Sequence, residues 1–261
     1  MNSVINKIKK FSVENKKYRH LYLSLIFLLF LFMDMGIVIM TALDSNFQST
    51  INKPESYSWL QLINSYLIAK TIFMPTLLAV ITSRVADIEN RGDMWKVLKT
   101  SGWTMEEIFD IKFLSIFLKY IIFQILEGIL LVLVGRKVGI TMPIPVERLT
   151  VTLISIIAIS FAIMTIHYFL AMRYENQLIG LALSVCGSLS GIIGILLPFG
   201  ISRFILYSYY AHLISTEFVK TGKDQWGLKL VPMRLYPLLV SALLGIFVFV
   251  WSRRKLKKLD F

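Results

Sequence analysis

Six long apolar runs constrain this 261-residue chain more than any other feature of its sequence. A helix needs roughly 18 or more apolar residues to cross the hydrocarbon core of a bilayer, and most of the runs meet that length. Only 17% of the residues are charged, whereas soluble domains carry about 25%. We therefore predict an all-α polytopic membrane protein, which excludes a secreted enzyme and a soluble nucleic-acid binder. The predicted spans are Leu21–Leu43, Trp59–Thr82, Phe113–Val134, Leu149–Met172, Leu178–Phe199 and Leu235–Trp251.

Basic residues indicate the orientation of these spans. An even number of spans places both termini on the same side of the membrane. Lysines and arginines are concentrated in the N-terminal segment, in the connection after the second span and at the C-terminus. The positive-inside rule then assigns both termini to the cytoplasm. The net charge of +12 is accordingly interpreted as a topology signal and as contact with anionic membrane lipids, without nucleic acid as a partner.

The segments outside the spans belong to a single transmembrane domain, 1–261. Residues 1–20 carry Val4, Ile5, Ile8 and Phe11 at helical spacing, which predicts an interfacial cytoplasmic helix. A disordered basic tail is the alternative. The extracellular segment 200–234 begins with an aromatic stretch and ends in a polar one, which predicts re-entrant or interfacial helices. An ordinary folded external loop is the alternative.

The cytoplasmic segment 83–112 connects the second and third spans and is too long for a tight turn. Its apolar spacing predicts a helix over about Val85–Lys99, followed by a second helix that starts at Thr104 with Glu107 completing a capping box. Trp95 and Leu98 give the first helix an apolar anchor within a charged rim, the composition of a protein interface. An amphipathic loop lying on the bilayer is the alternative.

Four charged side chains lie within the predicted spans: Asp34, Lys70, Lys119 and Glu127. A charge in lipid is costly, so each is expected to face protein or water. Asp34 and Lys70 are predicted to be neighbours on antiparallel helices. They form either a structural ion pair or the polar lining of a substrate path.

The sequence also contains small residues at helical spacing, and it lacks the common catalytic and metal-binding motifs. Gly187 and Gly191 form a G-x-x-x-G pattern, which predicts close helix packing and, more weakly, a dimer interface. The stretch 187–191 lacks the central serine of a nucleophile elbow. The histidines are far apart and Cys186 is the single cysteine, so no metal-ligand spacing is present. We therefore predict no catalytic residues, no metal site and no cofactor bound by this chain.

The order of these features resembles the type-2 ABC exporter permeases over nearly the whole chain. In the connection 83–112 the resemblance is carried by Glu89, Gly92, Trp95, Leu98, Ser101, Gly102, Thr104 and Lys112, although the proline that many members carry at the turn is missing. In size and style the chain is most similar to the permeases of bacterial lantibiotic-immunity exporters.

The resemblance implies a transport subunit in the bacterial cytoplasmic membrane that is not itself an enzyme. A second permease, either the same chain or a sister subunit, would complete the transmembrane dimer, and separate ABC ATPase subunits would bind ATP and Mg²⁺. The coupling helix that docks on the ATPase would be about Ile88–Lys99, with Glu89 and Arg91 as polar contacts and Trp95 and Leu98 as the apolar anchor. The implied cargo is an amphipathic antimicrobial peptide, expelled for self-immunity or antibiotic resistance. An ion-coupled secondary transporter and a non-transporting scaffold or sensor subunit are the alternatives.

Overall fold

The computed structural model describes residues 2–53, 56–90, 98, 100–220 and 226–257. Within these residues, six helices are long and apolar enough to cross a membrane, so the predicted all-α polytopic fold is confirmed. The elements are α1 (Asn2–Lys17), α2 (Leu23–Leu43), α3 (Ser45–Thr50), α4 (Ser58–Asn90), α5 (Met105–Lys137), α6 (Val146–Arg173), α7 (Leu178–Leu196), α8 (Phe199–Ser202), α9 (Tyr209–His212), β1 (Thr216–Lys220), β2 (Trp226–Leu230) and α10 (Tyr236–Lys257). The spans are α2, α4, α5, α6, α7 and α10.

Two of the spanning helices extend well past the predicted span ends. Helices α4 and α5 each contain 33 residues, more than the roughly 20 that a bilayer core requires. The residues from Val85 to Asn90 continue α4, so the prediction of a separate helix starting at Val85 is wrong. The capping box is confirmed, since the Glu107 amide donates to Thr104 Oγ1 at 3.2 Å and the Thr104 amide donates to Glu107 Oε2 at 3.3 Å.

Helix α4 lies at the centre of the bundle. It contacts α2, α5, α6 and α7, and it is the most buried of the six spanning helices, while α10 is the least buried. Tyr66, Leu62 and Leu77 of α4 are fully buried in the core together with Tyr120 and Tyr168 of the neighbouring helices. The central position of α4 explains why its polar side chains need partners inside the protein.

Both termini lie at the same end of the bundle, which we call the terminal face. Lys10 of α1 forms an ion pair of 2.7 Å with Glu107, and Lys257 of α10 lies 3.5 Å from Glu106, the neighbouring residue on α5. The opposite end, the far face, carries the α2–α4 and α5–α6 connections. These are joined by Asn52, whose side-chain amide donates to the Gly139 carbonyl at 2.9 Å.

The segment between α7 and α10 contains an element that the sequence analysis did not predict. After the short helices α8 and α9, the strands β1 and β2 form an antiparallel hairpin in which Thr216 pairs with Leu230. The hairpin is attached to the far end of α4, where Asn64 Nδ2 donates to Thr216 Oγ1 at 2.6 Å. This segment therefore contains two short helices followed by a sheet, and the re-entrant or interfacial placement of the helices stays a prediction.

Candidate functional site

Three of the four charged residues within the predicted spans meet in one buried cluster on α2, α4 and α5. Lys70 Nζ lies 2.8 Å from Asp34 Oδ2 and also donates a hydrogen bond to Glu127 Oε2. All three side chains are 0% exposed. The predicted contact between Asp34 and Lys70 is confirmed, and Glu127 joins it from a third helix.

Aromatic rings surround the ammonium group of this intramembrane cluster. Lys70 Nζ lies 4.9 Å from the ring centroid of Tyr66 and 5.0 Å from that of Phe123. A desolvated cation gains electrostatic stabilisation from the negative faces of such rings. The rings also exclude water, which strengthens the attraction between Lys70 and the carboxyl groups.

A chain of uncharged polar groups runs from the intramembrane cluster to α9, in the segment between α7 and α10. Tyr66 donates to Glu127 Oε2 at 3.0 Å, Gln124 bonds to Tyr66, and Tyr120 donates to the Gln124 side-chain oxygen at 3.1 Å. From Tyr120 the chain continues through Ser160 to Tyr210, over 2.6 and 2.8 Å. Sequence analysis missed these groups, although Tyr66 and Lys70 are four residues apart and so lie on one helix face.

Lys119 does not belong to the intramembrane cluster. Its ammonium group donates to Asn15 Oδ1 of α1 and lies 5.2 Å from the ring centroid of Tyr18. Ser115 donates to the same Asn15 oxygen at 2.6 Å. Lys119 therefore helps to hold α1 against the third span near the terminal face.

A second cluster of charges is buried at the terminal face. Lys112 at the start of the third span binds both Glu14 of α1 and Glu89 at the end of α4, the latter at 2.9 Å. Lys17 lies 2.8 Å from Glu89 and 3.4 Å from Glu14. The negative charges of the two carboxylates and the positive charges of the two ammonium groups therefore cancel. Although burial of Lys17 opposes its charge, the hydrogen bond and negative charge of Glu89, together with Glu14, raise the pKa of Lys17.

The G-x-x-x-G pattern of α7 packs against the segment between α8 and α9. A Cβ on Gly191 would lie 2.8 Å from the Tyr207 carbonyl oxygen and 3.0 Å from Thr71 Cγ2, and a Cβ on Gly187 would meet the Tyr207 ring. The Tyr207 hydroxyl lies 3.2 Å from His167 Nε2. Gly187, Thr71 and His167 are interior positions of α7, α4 and α6, so Tyr207 enters the bundle. The glycines thus serve packing within one chain.

The sequence model of a transporter family matches residues 11–191, which is more than half of the chain; the family is described as ABC-2 family transporter protein. The chain belongs to this family. No curated protein and no solved structure matches the chain. The matched residues run from α1 into α7, so they include both charge clusters and the whole connection between α4 and α5.

An ABC-2 permease is the membrane-spanning subunit of an ABC transporter, and the ATPase is carried by a separate subunit. This assignment implies an ABC ATPase as a partner. It favours the ABC permease over a secondary transporter or a scaffold. Glu89 lies in the last turn of α4 and Lys112 lies inside α5, so the terminal-face cluster joins the two helices that flank this connection.

Two of the docking residues predicted for this ABC-2 permease are not on the surface. Glu89 is 0% exposed and bound to Lys17 and Lys112, so its prediction as a direct contact with the ATPase is wrong. Leu98 is 8% exposed and belongs to the apolar core of the chain, so it is not a free anchor either. Arg91 and Trp95 lie outside the described residues.

Proposed function

We propose that this ABC-2 permease is the membrane half of an ATP-driven exporter in the bacterial cytoplasmic membrane, with its terminal face in the cytoplasm. The observation that carries the proposal is the family match, which spans the connection between α4 and α5. Two ATPase subunits, which bind ATP and Mg²⁺, engage this connection, and a second permease of the same or a sister chain completes the transmembrane dimer. The concentration of basic residues in this connection and at both termini supports the orientation.

In this proposal the terminal-face cluster transmits movement from the ATPase to the spans. The ion pair between Glu89 and Lys112 joins the end of α4 to α5, and Glu14 of α1 binds the same lysine. Because these groups are buried and mutually bound, a displacement of the connection moves α1, α4 and α5 together as packed elements. Glu89 therefore acts in force transmission instead of in direct docking.

The partner prediction is tested by co-purification. The permease alone is expected to hydrolyse no ATP, and a complex with its cognate ATPase is expected to be isolated intact. Trp95→Ala should weaken that complex, because an aromatic anchor at an interface can contribute about 2 kcal/mol or more. Trp251→Ala is the matched control, since Trp251 lies 46% exposed on α10. Unchanged co-purification of Trp95→Ala would contradict docking through this side chain.

We further propose that the cargo is an amphipathic antimicrobial peptide of the lantibiotic type, taken from the membrane and expelled. The resemblance to the immunity exporters carries this part. It is supported by an apolar groove of about 330 Å³ between α2 and α5, which is lined by Phe27, Leu28 and Ile122, among others. Leu28 and Ile122 are exposed, so the groove is accessible from the lipid. Asp34 and Glu127, however, are buried against Lys70 and supply no negative surface for a cationic peptide.

The substrate is tested by deleting the permease gene while the ATPase is retained. We expect increased growth inhibition by one or more members of a panel of lantibiotics and bacitracin-like peptides. Expression of the wild-type gene from a plasmid should restore resistance. Unchanged sensitivity to the whole panel would contradict a peptide cargo and favour lipids or small drugs as the substrate. It would not contradict the partnership with the ATPase, which co-purification tests separately.

A further inference from the structure

The intramembrane cluster contains two carboxyl groups but one ammonium group. Asp34, Lys70 and Glu127 are each 0% exposed, and Lys70 binds both carboxyl groups. With both carboxyl groups ionised, the cluster would carry one uncompensated negative charge. An unbalanced charge buried in a membrane protein is strongly unfavourable. The cluster therefore requires one further positive charge.

No other charged side chain among the described residues supplies this charge. The remaining titratable groups that face the cluster from the packed helices are Tyr66 of α4, Tyr120 of α5 and Tyr210 of α9. A neutral tyrosine donates a hydrogen bond but adds no charge. Lys119, the other lysine within a span, is bound to Asn15 and Ser115 instead.

The hydrogen bonds of the cluster use two of its four carboxyl oxygens. Tyr66 gives its one proton to Glu127 Oε2, and Lys70 donates to the same oxygen and to Asp34 Oδ2. These two oxygens are acceptors. The other two, Asp34 Oδ1 and Glu127 Oε1, are buried and have no hydrogen-bond partner among the described residues. A bare carboxylate oxygen in a dry site is costly.

The carboxyl groups of Asp34 and Glu127 both bind the single ammonium group of Lys70, so two buried carboxyl groups lie beside one cation. Two carboxylates cannot hydrogen-bond to each other, because neither has a proton to donate. We propose that the cluster is a proton-binding site in which the two carboxyl groups hold one proton, taken from water, on an oxygen that Lys70 does not bind. The proton makes the cluster neutral and leaves one ionised carboxylate to balance Lys70. Two close carboxyl groups that share one proton are a known arrangement.

Infrared spectroscopy of the purified full chain in lipid nanodiscs tests the proposal directly. At neutral pH the wild type should show the carbonyl stretch of a protonated carboxylic acid, shifted in D₂O. Asp34→Asn and Glu127→Gln should each abolish this band, because a neutral amide removes the excess charge and the need for the proton. Glu147→Gln is the control, since Glu147 is exposed on α6 and lies outside the cluster, so the band should remain.

The pH dependence of thermal unfolding gives a second test. The folded wild type carries a proton that an ionised carboxyl in the unfolded chain lacks between about pH 6 and pH 9. The unfolded state then binds fewer protons, so stability falls as pH rises. Glu127→Gln should show a shallower loss of unfolding temperature over this range, whereas Glu147→Gln should follow the wild type.

Three results would overturn the proposal. The first is the absence of an acid band in the wild type at neutral pH, a measurement that does not depend on any variant folding. The second is a band, or a pH slope, that is the same in the wild type and in both cluster variants. The third is a wild-type stability that rises with sodium or potassium at constant ionic strength, which would identify a metal cation as the balancing charge.

Discussion

Single residues of this permease show how close packing decides the role of a small or charged side chain. Glu89 stands in a polar stretch of the sequence that is typical of an exposed connection, yet its carboxylate is buried because α1 folds back and brings Lys17 to within 2.8 Å. Gly191 stands in a motif that is typical of helix dimers, yet it admits the backbone of Tyr207 from the same chain. In both cases the partner is far away in sequence.

A prediction at the scale of the residue concerns Gly191. Its replacement by alanine should lower the free energy of unfolding by about 1–3 kcal/mol, because the added Cβ would press on a backbone oxygen that cannot rotate away. The measurement is denaturant unfolding in detergent. Gly180→Ala on the same helix is the control, since a Cβ there would meet nothing within 4 Å. Equal effects of the two substitutions would contradict the proposed close approach.

At the scale of the element, α1 is an integral part of the bundle and does not only lie on its surface. Its last turns supply Glu14, Asn15 and Lys17, which bind Lys112, Lys119 and Glu89 on two spanning helices. An amphipathic N-terminal helix was predicted from apolar spacing. Its attachment to the spans depends on its polar side chains. The spacing of the apolar residues does not indicate which residues those polar side chains bind.

The prediction at this scale is a double-mutant cycle on α1 and the third span. Lys112→Met should destabilise the chain by roughly 3–5 kcal/mol, because it leaves Glu14 and Glu89 buried with too little positive charge. Adding Glu14→Gln should recover part of that loss, since it removes one of the unbalanced charges. The readout is the free energy of unfolding of the two single variants and the double variant.

A second pair on α1 provides the comparison for this cycle. Lys10 and Glu107 are 2.7 Å apart but partly exposed, with side-chain exposures of 15% and 34%. Their coupling energy should be about 0–1 kcal/mol, as for other solvent-exposed pairs. If the Glu14–Lys112 coupling were no larger than the Lys10–Glu107 coupling, α1 would not be held by its buried charges.

At the scale of the whole molecule, the ion pairs of Glu106 and Glu107 place both termini at one face, and the proposed cytoplasmic location of that face is tested by labelling. In a Cys186→Ala background, a cysteine at Glu147 should react with an impermeant thiol reagent in whole cells, and a cysteine at Lys255 should not. Both residues are exposed, on opposite ends of the bundle. Both variants should react after permeabilisation. The reverse pattern in intact cells would invert the topology.

The sequence by itself determined the number of spanning helices, the capping box at Thr104, the contact between Asp34 and Lys70 and the transporter class. The first three follow from local signals: the length of apolar runs, residue spacing within one turn, and the cost of an unpaired charge in lipid. The transporter class was predicted from the resemblance to the type-2 ABC exporter permeases. The tertiary structure alone decided that Glu127 completes the intramembrane cluster, that Lys119 binds α1, that Glu89 is buried and that a hairpin follows α9. Each of these depends on which helix faces meet, and helix faces meet through the combined packing of side chains from distant segments, which no local pattern records.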